Sequence, residues 1–124
     1  MSNSDLYSAN ATVLLAPADH ANTAAATGSW VDVRAYAGEI AFIQHTGVVT
    51  AGTVAGVVQH ADDGSGTNAE TFVSFTSVGT STDNDVQKQS APARSCRGYV
   101  RYLGTIATGP AVVGCSMLGG DATH

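Results

Sequence analysis

Two strand-favouring runs on either side of Thr108, Gly109 and Pro110 constrain this chain more than any other feature. Between Ser95 and Leu118 the side chains are mostly β-branched, aromatic or small, and the Gly-Pro step interrupts them once. Such runs around a breaker predict two consecutive strands. In the first run Arg97, Tyr99, Arg101 and Leu103 alternate with Cys96, Gly98, Val100 and Tyr102. Those two sets point to opposite faces of a strand. Neither set is wholly polar, so the strand is expected to be covered in part on both sides.

The same pattern recurs upstream. Ala11, Val13 and Leu15 alternate with Thr12 and Leu14, predicting a short first strand that stops at Pro17. The Ala/Thr/Asn-rich stretch 18–29, ending near Gly28, reads as a loop, with a helical turn at Ala24–Ala26 as the alternative. Trp30, Asp32, Arg34 and Tyr36 alternate with Val31, Val33 and Ala35, and Ala37-Gly38 then turns the chain. Further strands are expected over 39–45, 53–60, 70–78 and, more exposed, 85–89, separated by polar loops at 62–66 and 79–84. About eight short strands with turn signals every ~8–15 residues, and no periodic helix, predict an all-β chain: an antiparallel β-sandwich, jelly-roll-like or another Greek-key arrangement. The expected core is Trp30, Val33, Ile40, Phe42, Val57, Phe75, Val100, Ile106 and Val113.

At 124 residues the chain has the length of one domain. Residues 1–27 are expected to form an arm with the first short strand and a loop, loosely held over 1–9, and 28–124 the sandwich. Charged residues make up 12%, about half of the usual ~25%. A surface so poor in charge suggests that neighbouring subunits cover part of it. The net charge of −5 argues against direct nucleic-acid binding, which needs a basic face. No run reaches the ~18 apolar residues of a membrane span, and residues 1–5 lack the basic start of a signal peptide, so a protein made in the cytosol is expected.

The charges are uneven. Lys88, Arg94, Arg97 and Arg101 crowd into one segment, while most acids precede it. Arg97, Tyr99 and Arg101 form a ladder on one strand face, open to two uses. Within a subunit the arginines would bridge to acids such as Asp32 or Glu39. Between subunits Arg94, Arg97, Tyr99 and Arg101 would be interface residues, since Arg and Tyr are enriched there. A direct hairpin around Gly109 would set Cys115 opposite Tyr102 and leave Cys96 on the order of 20 Å away, too far for a disulfide.

Catalytic and metal patterns are absent from the sequence. The 62–70 loop has adjacent acids and strand flanks, unlike a calcium loop. His20, His45, His60 and His124 are scattered; His45 and His60 could approach only if their strands pair, and two imidazoles make a poor zinc site. There is no nucleophile elbow, phosphate loop or dinucleotide fingerprint. The expectation is a non-enzyme with no cofactor and no metal. A small hydrolase would have to draw on His45, His60 and Glu39, and a carbohydrate-binding module on exposed aromatics such as Trp30.

Three segments carry a resemblance: Trp30–Gly38, the strand ending Gln59-His60-Ala61-Asp62-Asp63-Gly64, and Arg97-Gly98-Tyr99-Val100-Arg101-Tyr102 followed by Thr105-Ile106. Over about residues 28–119 the chain resembles the small β-sandwich cement, or decoration, proteins of tailed-bacteriophage capsids. That resemblance implies a structural virion protein on the outside of the shell, a homotrimer with the major capsid protein as partner, and no catalytic residues to transfer. Residues 1–27 do not map onto it. A head-fibre base or a tail component would share the same features.

Overall fold

The computed structural model describes residues 9–22, 24 and 26–121. They form nine strands: β1 (Ala9–His20), β2 (Val31–Asp32), β3 (Tyr36–Val49), β4 (Gly52–Ala61), β5 (Glu70–Ser74), β6 (Val78–Gly79), β7 (Asp85–Pro92), β8 (Tyr99–Thr108) and β9 (Ala111–Asp121). A single 3-10 turn, Ala93–Ser95, joins β7 to β8. Sheet A has the order β1-β9-β3-β7, and sheet B the order β2-β8-β4-β5 with β6 also on β4. All pairings are antiparallel. The molecule is a β-sandwich, as the alternation predicted.

The connectivity is that of a jelly roll. With β5 and β6 counted as one position, the first strand pairs with the last, the second with the last but one, and so on inward to β4 with β5. This is the double Greek key of eight strand positions. Consecutive strands therefore cross between sheets, except at β4–β5. The expected hairpin around Gly109 does not form: β8 lies in sheet B and β9 in sheet A. Cys115 sits opposite Leu15 and Gln44, not Tyr102. Both cysteines are free.

The core fills the space between the sheets. Sheet A contributes Leu14, Leu15, Ile40, Phe42, Val113, Cys115 and Met117, and sheet B contributes Val54, Val58, Val100 and Tyr102. Val33, Phe75 and Val78 close the rim. Six of the nine expected core residues are buried here. The exceptions are Val57, which pairs outward with Leu103; Trp30, half-buried on the outside of sheet B; and Ile106, half-buried against the core edge.

Strand ends also depart from expectation, each for a local reason. β1 runs through Pro17 instead of stopping there. It is an edge strand, paired only with β9, and an edge tolerates the missing N–H of proline. Register shifts between Val13 and Leu15 and between Leu15 and Ala18 each insert one extra residue. The first shift buries Leu14 and Leu15 together and leaves Val13 outside. Conversely, the run Trp30–Tyr36 is broken. The Asp32 carboxylate accepts the Arg34 backbone N–H at 3.0 Å, and the Tyr36 N–H reaches the Val33 carbonyl at 3.1 Å. That turn carries the chain from sheet B to sheet A. The expected turn at Ala37-Gly38 is instead a bulge inside β3, where Gly38 adopts φ +74°, a conformation glycine takes without steric cost. The 70–78 run is split between β5 and β6. Ala24 and Ala26 lie in a turn, while residues 1–8 and His124 fall outside the described residues.

Candidate interaction surface

Three ion pairs, Arg34–Asp32, Arg97–Asp62 and Arg97–Glu70, lie at sheet B and its rim. Arg97 lies in the segment after the 3-10 turn, ahead of β8. Its guanidinium pairs with Asp62 at 3.3 Å and Glu70 at 2.9 Å. Arg101, on β8, donates from Nε to Gln59 at 2.8 Å and spreads over the Trp30 ring at 4.6 Å. The Tyr99 ring lies 5.1 Å beneath the Arg34 guanidinium, which makes a bidentate pair with Asp32. Among the described residues, only Arg97 of the two ladder arginines pairs with acids inside the subunit, and not with the expected ones, while Arg101 bonds to Gln59 instead of an acid. Asp32 belongs to Arg34, and Arg97 takes Asp62 and Glu70.

The electrostatics follow from these contacts. Hydrogen bonding from Arg34 holds the Asp32 carboxyl at a pKa of about 2. Asp62 is lowered by Asn68 and then by Arg97, and Asp63 by Thr67, whose N–H and hydroxyl it accepts at 3.2 and 2.7 Å. The 62–70 loop is thus a self-capped turn. Arg94 is exposed on the 3-10 turn, where it lines an open cleft of about 440 Å³ together with Arg34, Tyr36, Cys96 and Arg97.

His45 and Glu39 stand on β3 and His60 on β4, in different sheets, so the strands of the two histidines do not pair. Among the described residues no three His, Cys, Asp or Glu side chains are grouped to hold a metal. Trp30 does not present a bare platform, because Arg101 covers its ring and Gly66 lies close to its edge.

The outside of sheet A is different in kind. Three cross-strand rows run across its middle, Ala11–Leu118–Ala41–Ser90, Val13–Ser116–Ile43–Lys88 and Gly114–His45–Val86, and the exposed acids Glu39, opposite Pro92, and Asp19, opposite Val112, flank them. Lys88 is the one formal charge in those rows. Val13 and Val86 are each 59% exposed and Leu118 is 37% exposed; Val48, at the end of β3, is 55% exposed. Among the described residues these are the large hydrophobic side chains left exposed, and all four stand on sheet A strands. A solvated antiparallel sheet ordinarily alternates apolar-in with polar-out. Here Lys88, His45, Ser90 and Ser116 are the polar members of those rows, and the large aliphatic ones adjoin diagonally across the strands. The sequence carried a trace of this face in the unbroken run Ala41-Phe42-Ile43, apolar at both phases. The other strands contribute single residues whose adjacency depends on pairing.

No family model matches the chain, and no curated protein matches it. Among solved structures it is similar to PirA, at 12% identity over 90% of this chain and 93% of that one, with a TM-score of 0.44. It is also similar to VP2 of the infectious bursal disease virus subviral particle, at 12% identity over 92% of this chain and a TM-score of 0.46. A third neighbour is the structure of the Gx strain of that virus, at 12% identity, 94% coverage of this chain and a TM-score of 0.44. This chain spans a third (33%) of each of the two virus chains.

Proposed function

We propose that this chain is a non-catalytic structural protein of a virus particle. Within that class it is a capsid cement or decoration protein, seated on the outside of the major capsid shell of a tailed bacteriophage and assembled as a homotrimer. One observation carries the reading: the middle of the outer face of sheet A is largely aliphatic, with Lys88 its one formal charge, while at sheet B Arg34 and Arg97 are paired with acids. A contiguous apolar patch on a small domain is the mark of a protein–protein contact. The resemblance of segments 30–38, 59–64 and 97–106 to cement proteins supplies the kind of partner. Each contact on such a shell can be weak, because many copies held on one lattice act at high effective concentration. Arg94, Arg97, Tyr99 and Arg101 remain the proposed contacts between subunits, with Arg94 the most available of them.

The test is to image intact particles and locate the copies. Density on the outer shell at threefold positions is the expected result. Copies confined to a tail or to a fibre base overturn the cement reading, and absence from the particle overturns the structural one. Retention on a polysaccharide column would favour a carbohydrate-binding module instead.

A further inference from the structure

His60 occupies a position that the proposed function does not use. It stands on β4 between Val100 of β8 and Glu70 of β5. Its ring stacks on Phe72 with centroids 4.8 Å apart, and Phe72 meets the buried Phe42 edge-on at 6.0 Å. Its Nδ1 accepts the backbone N–H of Arg97 at 3.2 Å. An acceptor at Nδ1 has a free lone pair, so the ring in this bond is neutral with its proton on Nε2.

The charged groups around the ring come from three places. Arg97 comes from the segment ahead of β8, Glu70 from β5, and Asp62 from the loop after β4. Both carboxylates hold the Arg97 guanidinium. Arg97 is therefore fastened at its backbone by His60 and at its side chain by the two acids beside His60. A proton at Nδ1 turns the acceptor into a donor facing another donor. It also creates a cation that competes with Arg97 for Glu70 and Asp62.

We propose that His60 is a pH-sensitive latch: neutral, it fastens the segment Ala93–Gly98 to sheet B, and protonated, it releases that segment. The proton comes from solvent, and no covalent bond changes. The segment carries Arg94, Cys96 and Arg97 along one wall of the open cleft, so release reshapes that wall. Burial and the Arg97 charge lower the His60 pKa, outweighing the two carboxylates. The sign follows. Folding favours the neutral ring, so its contribution is whole above the ordinary histidine pKa of about 6.5 and is lost as pH falls from there through the folded value. This inference does not depend on the proposed function.

The test is a proton–nitrogen NMR titration of the full chain from neutral to mildly acidic pH. The Arg97 amide and the His60 ring are expected to titrate with one midpoint, below about 6.5. Protection of the Arg97 amide from hydrogen exchange should fall several-fold across that midpoint, while core amides such as that of Val58 stay protected. In His60→Phe, which keeps the stack on Phe72, the Arg97 amide should lose its pH dependence over that range. A His60 midpoint at or above 6.5, or an Arg97 amide indifferent to His60 titration, overturns the latch. The wild-type titration alone decides this if the variant does not fold.

Discussion

Gln44 and Tyr102 meet across the core, one from each sheet. The Tyr102 hydroxyl donates to the Gln44 side-chain oxygen at 2.5 Å, and both residues are fully buried. They meet over Gly56, where an added Cβ would collide with both polar groups. Removing one partner strands the other, which costs about 1–3 kcal/mol, whereas replacing both with apolar groups of similar shape is nearly neutral. Tyr102→Phe should therefore lose roughly that much in urea unfolding, and the double change Tyr102→Phe/Gln44→Leu should recover most of it. Additive losses would show that the two do not act as a pair. Asp32 offers a second check. Its carboxyl should titrate near 2 by NMR and return to the ordinary carboxylate range in Arg34→Ala. Because folding lowers this pKa, the contribution is present above the ordinary value and disappears as pH falls through about 2.

At the scale of strands, face assignment decides what a substitution does. Val58 of β4 is fully buried and its neighbour Val57 faces out, half-covered. Val58→Ala should cost roughly 2 kcal/mol in denaturant unfolding, and Val57→Ala well under half of that. The reverse order would mean that β4 is one residue out of register, since a one-residue slip exchanges the faces. The last two strands make a similar comparison with thiols. Cys115 of β9 is buried, which pushes its pKa up to about 12, and Cys96, just ahead of β8, is half-buried with a smaller rise from the same cause. A thiol reagent at neutral pH should label Cys96 first and reach Cys115 only on unfolding. Equal labelling rates in the folded protein would contradict the burial of β9.

For the whole molecule, the contrast between the two outer faces is the feature to challenge. Val13→Asp changes a position 59% exposed on an edge strand and should alter stability by no more than about 0.5 kcal/mol, and Leu118→Asp, 37% exposed on β9, by about 1 kcal/mol. If sheet A is the docking face, both should nonetheless abolish particle binding. Arg97→Glu tests the other face: it should weaken association between subunits more at low salt than at high salt, because screening limits charge effects to ~10 Å at 0.1 M. Binding unchanged by both aspartates would move the contact away from sheet A. A monomer unfolded by Arg97→Glu would assign Arg97 to the internal network with Asp62 and Glu70 alone.

The alternation of apolar residues determines strand content, because side-chain direction along a strand has a period of two. It placed Ile40, Phe42, Val100 and Val113 in the core for the same reason. Period alone could not show where a strand passes an irregularity. Pro17 ends a central strand but not an edge, and Asp32 looks like any strand residue until its carboxylate takes the Arg34 N–H. Pairing was less legible still. In a jelly roll nearly every ladder joins strands distant in the chain, so β8 and β9 are consecutive in sequence and belong to opposite sheets. The outer face of sheet A exists only through that pairing: Val13, Leu118, Ile43 and Val86 come from four strands that no local signal brings together. By itself the sequence determined which residues favour strand, turn or burial. The tertiary structure decided which of them are neighbours, because cross-strand contact depends on register and sheet order, and those are set by the packing of the whole core.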